Sequence, residues 1–298
     1  MKYLKNRKLI ISSVLILLVI ATIAFQIVSE KTTMNLTQLS AQGSRQMMGY
    51  VMKTNKGKLI VVDGGTIEDT DNLIKYINKN GRKVDYWFLT HAHDDHVGAF
   101  TKIINNTEIQ VQNIYASTNE LSWYEENEPQ RIEFTKTYLE TLEKLDDKVV
   151  SPKINDIINI DNITVEVLGI RNPEITENSG NEQSMVLKFN TGKTSILILG
   201  DTGIKSSEKL LNTQKEKLKS DIVQIAHHGQ AGATKELYEA VKPTKCLWPT
   251  TSWLWDNDVG EGINTGPWKT FETRKWIEEL NVKQNYIAKD GDITIKIK

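Results

Sequence analysis

Four side chains that can bind metal fall within six residues: His91, His93, Asp95 and His96. They directly follow an apolar segment at residues 84–89 that is typical of a strand. In an extended chain alternate residues point the same way, so His91 and His93 can bind one ion together. If a helix begins after them, Asp95 and His96 face a second ion beside the first. Imidazole and carboxylate ligands suit zinc, manganese or iron.

Other residues of the same chemical types follow apolar, strand-like segments further along the chain. Asp201 follows one such segment, and His227 and His228 follow the next. The chain has five histidines, and all of them lie in these two clusters. Because strand ends meet at one edge of an α/β sheet, we expect the two clusters to form a single site. Asp63 also stands at a strand end, where it is expected to orient the histidine loop through hydrogen bonds.

The remaining pattern alternates strands and helices and predicts one α/β domain over residues 45–298, preceded by a polar linker at 31–44. The segment 119–146 is rich in Glu and Lys and predicts one or two amphipathic helices. Strands are expected at 46–53, 59–62, 84–89, 163–168, 185–189, 195–199, 222–226 and 293–297, and helices at 71–79, 235–241 and 268–280, with another beginning at 98–104.

The first thirty residues have the pattern of a membrane-inserting segment. Four basic residues precede an uncharged apolar run at 9–25 that continues to about residue 28. This run is just long enough to span a bilayer, and a short small-residue stretch at 22–24 is suitable for signal cleavage. We therefore expect an uncleaved anchor or a signal peptide. Basic charge before the span places the following domain outside the cytoplasm, either membrane-tethered or secreted.

The overall composition narrows the classes of partner. Of the residues, 39% are hydrophobic and 25% are charged, as in ordinary globular proteins. The formal net charge is −1, and because residues 1–30 carry +3, the rest of the chain is mildly acidic. This does not favour nucleic acid as a partner, since phosphate contacts are normally made by clustered Lys and Arg. With Cys246 as its one cysteine, the chain has no internal disulfide and no Cys-rich zinc site.

Taken together, these motifs resemble the metallo-β-lactamase superfamily. The resemblance rests on the motif at residues 91–96, on Asp63-Gly-Gly before it, and on Gly-Asp201 and His227-His228-Gly after it. The His227-His228-Gly motif, together with residues 181–187, is most similar to one branch of the superfamily. That branch contains the hydrolase domain of competence DNA-uptake proteins and the phosphorylcholine esterases of cell surfaces. The resemblance implies an αββα sandwich of two mixed β-sheets flanked by helices, with the site at one edge.

The resemblance also implies a ligand set. His91 and His93 would bind the first ion, Asp95 and His96 the second, and Asp201 would bridge the two. One histidine of the pair at 227–228 would complete the second ion's ligands, and we favour His228, with His227 near the substrate.

One feature departs from the pattern of the superfamily. Many members supply another histidine to the first ion from the region before Gly-Asp, and this chain has none to give. Asn181 and Ser184 stand in that region instead. We expect them to support the site from behind the ligands, leaving the first ion with fewer protein ligands than the second.

The expected function is metal-dependent hydrolysis by a metal-bound hydroxide, with one or two divalent ions, zinc before manganese or iron. Asp95 or Asp201 would orient the nucleophile, and His227 would protonate the leaving group or stabilise the oxyanion. The leading prediction is a phosphodiesterase acting on a small-molecule or cell-surface phosphoester. An amide, lactam or thioester hydrolase and a non-catalytic metal-binding surface module are the alternatives, and the sequence leaves the oligomeric state open.

Aromatic residues after the last motif give a second expectation about the substrate. Trp248, Trp253 and Trp255 fall within eight residues. Such a cluster can form an aromatic wall for a sugar, a base or a quaternary ammonium group such as choline. The alternative is that these tryptophans pack at the edge of the core.

Overall fold

The computed structural model describes residues 33–298, so the anchor or signal peptide expected at residues 1–30 lies outside the described residues. Within residues 33–298, no helix is long and apolar enough to cross a membrane. The first half of the fold contains, in order, β1 (Met34–Gln38), β2 (Gly49–Thr54), β3 (Leu59–Asp63), α1 (Thr70–Asn78), β4 (Lys83–Leu89), α2 (Asp94–Asn106), β5 (Gln110–Ala116), α3 (Leu121–Asn127), α4 (Ile132–Glu143) and β6 (Val149–Val150).

The second half repeats the alternation of strands and helices. Its elements are β7 (Ile157–Ile160), β8 (Ile163–Gly169), β9 (Val186–Asn190), β10 (Ser195–Ile198), α5 (Ile204–Thr213), α6 (Lys215–Leu218), β11 (Ile222–Gln224), α7 (Lys235–Val241), β12 (Lys245–Trp248), α8 (Ser252–Trp255), α9 (Thr270–Glu279), β13 (Gln284–Ile287) and β14 (Ile293–Ile297).

The strands form two seven-stranded mixed sheets. The first has the order β14-β1-β2-β3-β4-β5-β6, and the second has the order β13-β12-β11-β10-β9-β8-β7. Strands β3 to β6 run parallel to one another, as do β10 to β13, while the other neighbours pair antiparallel. The parallel strands bring their carboxyl ends to a common edge, and this edge carries the predicted site residues.

Three apolar layers hold these sheets and helices together. The central layer lies between the two sheets and includes the fully buried Tyr50, Phe88 and Phe189. A second layer packs α1, α2 and α4 against the first sheet, and a third packs α5, α7 and α9 against the second sheet. Each sheet thus buries one face against its partner and the other against helices. The predicted αββα sandwich of two mixed sheets is confirmed.

The prediction of a polar linker over residues 31–44 is wrong for its central part. Met34–Gln38 is strand β1, which pairs with β2 on one side and with β14 on the other. Its polar side chains find distant partners. Thr37 shares a 2.8 Å hydrogen bond with Thr294, and Gln38 donates to the Tyr286 carbonyl at 3.1 Å. The folded domain therefore begins before residue 45.

The helix expected from residues 98–104 begins four residues earlier, at Asp94. His93 has extended backbone angles and stands at the helix start, so Asp95 and His96 lie in the first helical turn. The segment 119–146 was predicted to form one or two helices, and it forms two, α3 and α4.

Gly98 fixes how closely α2 approaches the first sheet. A Cβ at this position would lie 2.9 Å from the Ile67 backbone nitrogen and 3.0 Å from the Thr66 carbonyl carbon. We expect Gly98→Ala to lower the free energy of unfolding, because overpacking costs about 1–3 kcal/mol and outweighs a helix-propensity gain of up to about 1 kcal/mol. Urea denaturation measures this loss. The control Lys102→Ala, on the exposed face of α2, should leave stability nearly unchanged, and a more stable Gly98→Ala protein would contradict the assignment.

Candidate metal centre

The first half of the site is built on the connection from β4 to α2. His91 and His93 lie in the extended stretch before the helix, and Asp95 and His96 lie in its first turn. All four side chains are buried, with relative exposures between 0% and 6%. The change from extended chain to helix therefore brings these four buried side chains close together at the end of β4.

The second half comes from the ends of β10 and β11, which run parallel. Asp201 follows β10 and is 1% exposed. His227 and His228 follow β11, and both have left-handed backbone angles, with φ of 50° and 54°. Two consecutive non-glycine residues in this region are uncommon, and such conformations concentrate at functional sites.

Folding brings the two halves together around Asp201. Ligand atoms of Asp95, His96, Asp201 and His228 all lie within 4.8 Å of one another. The Nε2 atom of His96 is 3.2 Å from Oδ2 of Asp201. His228 Nε2 lies 3.3 Å from the Asp95 carboxylate and 3.4 Å from that of Asp201. Four of the six predicted metal ligands thus form one compact group.

The other predicted residues surround this group at slightly longer range. His91 Nε2 and His227 Nε2 each lie 3.9 Å from Asp201 Oδ2. The His93 ring is 4.5 Å from the His91 ring, between centroids, but its Nε2 contacts Glu128 instead of the group. Asp201 therefore faces four imidazoles, whereas His93 stands at the margin.

The unsatisfied polar atoms of the cluster test whether these residues fit a metal ion. His91 Nε2, His96 Nε2, His228 Nε2 and Asp201 Oδ1 are buried, and each lacks a hydrogen bond within the described part of the chain. Buried polar atoms without partners are rare in native proteins because each costs about 1–3 kcal/mol. Imidazole nitrogens and carboxylate oxygens converging on one point are the donor set of a transition-metal site. The residues present therefore fit a divalent ion.

Three of the histidines are held by protein through their other ring nitrogen. His96 Nδ1 is 2.7 Å from Asp63, and His228 Nδ1 is 2.8 Å from the Pro249 carbonyl. His91 Nδ1 is 3.1 Å from the Thr90 hydroxyl. In each case this contact leaves Nε2 for the cluster. Partners of this kind fix ring orientation and tautomer in metal sites.

Asp63 serves more than one residue of the histidine loop. Its carboxylate also accepts hydrogen bonds from the Thr90 backbone N–H at 2.7 Å and from the Thr90 hydroxyl at 2.6 Å. Asp63 is fully buried and its φ is +53°, so an uncommon backbone conformation turns the carboxylate toward the loop. Asp63 therefore contacts both the His96 ring and the Thr90 backbone of the histidine loop.

Asn181 and Ser184, which stand where another histidine was expected, lie next to the ligands. The Ser184 hydroxyl accepts a hydrogen bond from the Asp201 backbone N–H at 2.9 Å and is 3.4 Å from His91 Nδ1. Asn181 Nδ2 donates to Asn178 and lies 3.3 Å from His227 Nε2. Ser184 thus contacts Asp201 and His91, and Asn181 lies beside His227.

Electrostatic interactions keep the carboxylates charged. Burial opposes ionisation, yet the imidazoles of His96 and His228 outweigh it and hold the pKa of Asp201 well below its usual range. Asp95 has a lowered pKa through the same imidazoles. In turn, the carboxylates overcome the effect of burial and raise the pKa of His228 to about 9. For His91, burial dominates and the neighbouring imidazoles add to it, so its pKa falls well below the usual value.

The tryptophans predicted to form a substrate wall lie in different surroundings. Trp248 is 1% exposed in the core and donates its Nε1–H to Asn285. Trp255 packs edge-on against Trp248 and under the Arg274 guanidinium, 4.1 Å from the ring centre. Trp253 instead lines a surface cavity of about 310 Å³ that also includes Met47, Thr250 and Lys289.

Two further residues contact the predicted ligands and carry no recognisable signal in the sequence. Gln46 donates a hydrogen bond to the Asp95 carboxylate at 3.0 Å and accepts one from Gln230 at 3.0 Å. Glu128 contacts His93 from the connection between α3 and α4. Neither stands at a distinctive spacing, since Gln46 lies in a polar stretch and Glu128 is one of many acidic residues in its segment. Only the fold identifies them.

Comparison with known proteins agrees with this geometry. The sequence model of the metallo-beta-lactamase superfamily matches residues 48–246, more than half of the chain. The chain belongs to the metallo-beta-lactamase superfamily. Its motif at residues 91–96 and Asp201 both fall inside the matched region, and the resemblance read from the sequence is confirmed. The chain is accordingly a hydrolase of this superfamily with a candidate site for divalent metal.

The chain is also similar to individual proteins, at sequence identities of 13% to 21%. ComE operon protein 3 of Bacillus subtilis is 21% identical over 220 residues, which cover 64% of this chain but 25% of that longer protein. The metallo-beta-lactamase fold protein YhfI of Bacillus subtilis superposes with a TM-score of 0.55 at 13% identity, covering 88% of this chain and 99% of YhfI. Unliganded yeast PDE1 gives 0.55 at 13% identity, covering 90% and 100%. The two structural likenesses show the shared fold.

Proposed function

We propose that this chain is a metal-dependent phosphodiesterase that acts outside the cytoplasm, either tethered to the membrane or secreted. The observation that carries the proposal is the position of Asp201, whose carboxylate lies within 3.9 Å of Nε2 of His91, His96, His227 and His228. Because this carboxylate lies close to imidazoles from both halves of the site, it could serve as a ligand to two divalent ions. Zinc is the metal that we expect first.

The protein residues have distinct roles in this proposal. Bound divalent ions supply an activated water and stabilise charge that develops on a phosphoryl oxygen. Asp95, His96, Asp201 and His228 would hold one ion, and His91 and His93 with Asp201 would hold the other. Since the ligands are buried and fixed by hydrogen bonds, little reorganisation is needed when the substrate binds.

His227 is the histidine of the cluster that a substrate can reach most easily. Its side chain is 16% exposed, whereas that of His228 is fully buried. Its Nε2 faces Asp201 at 3.9 Å, and Asn181 lies beside it at 3.3 Å. From this position His227 can exchange a proton with the leaving oxygen or hydrogen-bond to a phosphoryl oxygen.

Two arginines beside the start of α2 are suited to contact an anionic substrate. Arg45 and Arg131 flank Asp94, the neighbour of Asp95, and both pair with the same Asp94 carboxylate. Both guanidinium groups are partly exposed, so they are available at the start of α2 to contact a bound anion. Arginine is well suited to phosphate because its planar fork can donate two parallel hydrogen bonds.

The surface cavity that Trp253 lines includes none of the candidate metal ligands, but it adjoins His228 through two of its lining residues. It lies along Pro249 and Thr250, and Thr250 donates a hydrogen bond to the His228 carbonyl. Trp253 lines it and packs against Trp268, with ring centres 4.8 Å apart. We therefore place the aromatic wall at Trp253, where an aromatic or quaternary ammonium group of a small-molecule or cell-surface phosphoester would bind.

A substrate panel tests this function. The full-length protein, stripped with chelator and reloaded with Zn²⁺ or Mn²⁺, is expected to hydrolyse bis-p-nitrophenyl phosphate and p-nitrophenylphosphorylcholine faster than p-nitrophenyl acetate or a chromogenic lactam. His91→Ala should abolish this turnover while leaving the circular dichroism spectrum unchanged. Faster lactam or acetate hydrolysis would reassign the substrate class. Metal binding without turnover of any ester, thioester or lactam would instead indicate a binding module.

A further inference from the structure

Glu128 is a buried carboxylate outside every motif of the superfamily that the sequence shows. It lies between α3 and α4 with 4% relative exposure. Its two oxygens are 3.0 and 3.3 Å from Nε2 of His93. Burying a carboxylate is costly unless it is paired, and here the partner is a predicted ligand of the first ion.

The contact gives His93 the opposite orientation to the other buried histidines. In His91, His96 and His228 the Nδ1 atom contacts protein and Nε2 is left without a hydrogen bond. In His93 it is Nε2 that contacts protein, through Glu128, and Nδ1 has no partner among the described residues. A carboxylate accepts and does not donate, so in the neutral imidazole Nε2 carries the proton and Nδ1 carries the lone pair that a metal ion needs.

The backbone encloses this pair tightly. A Cβ on Gly180 would lie 2.2 Å from His93 Nε2 and 2.3 Å from a Glu128 oxygen, so only glycine allows the chain to cover the contact. The loop is tied down next to it, since the Ser179 hydroxyl donates to the Asn127 carbonyl at 2.9 Å. Arg131, three residues after Glu128, also contacts Asp94 at 2.9 Å. The segment after α3 therefore braces the histidine loop at two adjacent residues.

We infer that Glu128 is a positioning residue that directs Nδ1 of His93 to the first ion. This inference rests on the metal centre of the proposed function. The first ion has His91 and His93 and no further histidine in the chain, so it depends strongly on the orientation and basicity of these two imidazoles. A carboxylate on the far nitrogen fixes the tautomer and raises the basicity of the ligand.

Cobalt binding to the full-length apoprotein tests the inference. Glu128→Ala is expected to weaken one of two Co²⁺ binding steps about 10- to 100-fold, as loss of such a partner does in other metal sites. The other step, at the group around Asp201 and His228, should keep its affinity. Glu128→Gln retains an acceptor oxygen and should lose less. Glu126→Ala, an exposed neighbour on α3, is the matched control and should bind Co²⁺ as the wild type does.

Proton NMR of the Co²⁺ protein adds a readout that general destabilisation does not produce. A paramagnetically shifted, exchangeable His93 Nε2–H resonance is expected, identified by its loss in His93→Ala. It should persist in Glu128→Gln and exchange faster in Glu128→Ala. Gly180→Ala displaces the pair without altering either member and should act like Glu128→Ala, which keeps the test available if that variant folds poorly.

Three results would overturn the inference. The first is an unchanged Co²⁺ affinity in Glu128→Ala, and the second is a proton on Nδ1 of His93. The third is a Glu128→Gln variant that loses the ion completely, because this would show that Glu128 is itself a ligand. Failure of the proposed function is distinguishable. In that case the wild type binds Co²⁺ with the predicted pattern but hydrolyses no phosphodiester. If instead the protein hydrolyses phosphodiesters and its Co²⁺ affinities are the same in the wild type and the Glu128 variants, only the role of Glu128 is refuted.

Discussion

Replacing Asp201 with alanine is expected to abolish metal-dependent hydrolysis. The Asp201 carboxylate faces imidazoles from both halves of the site at 3.2 to 3.9 Å, so its removal would deprive the proposed metal centre of a negative ligand that both halves share. Metal ions contribute several kcal/mol to transition-state stabilisation. Because about 1.4 kcal/mol corresponds to tenfold in rate, we expect kcat/KM to fall on the order of a thousandfold or more. Steady-state kinetics with bis-p-nitrophenyl phosphate measure the loss.

A control at the opposite end of the same strands separates this effect from damage to the sheet. Asp221 precedes β11 and accepts hydrogen bonds from the backbone and hydroxyl of Ser195, where β10 begins. Asp221→Asn should retain wild-type kcat/KM. If Asp201→Ala kept even a tenth of the wild-type kcat/KM with its metal content unchanged, Asp201 would not be a ligand.

Removal of the Asp63 carboxylate should cost stability as well as metal affinity. In Asp63→Ala, His96 loses its 2.7 Å partner, and the Thr90 backbone and hydroxyl lose their acceptors. Breaking a buried ionic pair by deleting one partner costs about 3–5 kcal/mol. We therefore expect the free energy of unfolding, measured by urea denaturation of the apoprotein, to fall by about this amount.

Two variants make the Asp63 result interpretable. Asp63→Asn keeps one acceptor oxygen and should lose less stability than Asp63→Ala. Asp71→Ala replaces an exposed acid on α1 and should behave as the wild type. A fully stable Asp63→Ala protein with wild-type Zn²⁺ affinity would show that the histidine loop is oriented by other contacts.

The features that could be predicted from the sequence are those that depend on residues close together in the chain. The spacing within residues 91–96 and the strand endings before Asp201 and His228 are local, and parallel strands bring such endings to one edge. Apolar runs likewise predict the buried strands of both sheets. The structure places Asp95, His96, Asp201 and His228 in one group for these reasons.

The features that could not be predicted depend on partners far away in the chain. Strand β1 looked like a linker because Thr37 and Gln38 are polar, but they bond to residues about 250 positions later. Glu128 resembles its exposed acidic neighbours in sequence, and only the packing of residues 127–131 against the histidine loop distinguishes it. Local hydropathy does not report tertiary hydrogen bonds, so such residues require a structure.

The metal content of the purified chain tests directly whether these residues form a metal centre. Full-length protein and the His228→Ala variant would be loaded with Zn²⁺, passed through gel filtration and analysed by inductively coupled plasma mass spectrometry. We predict that the wild type retains at least one zinc ion per chain and that His228→Ala retains measurably less. A wild type that retains no more zinc than His228→Ala would contradict a metal centre built on Asp95, His96, Asp201 and His228.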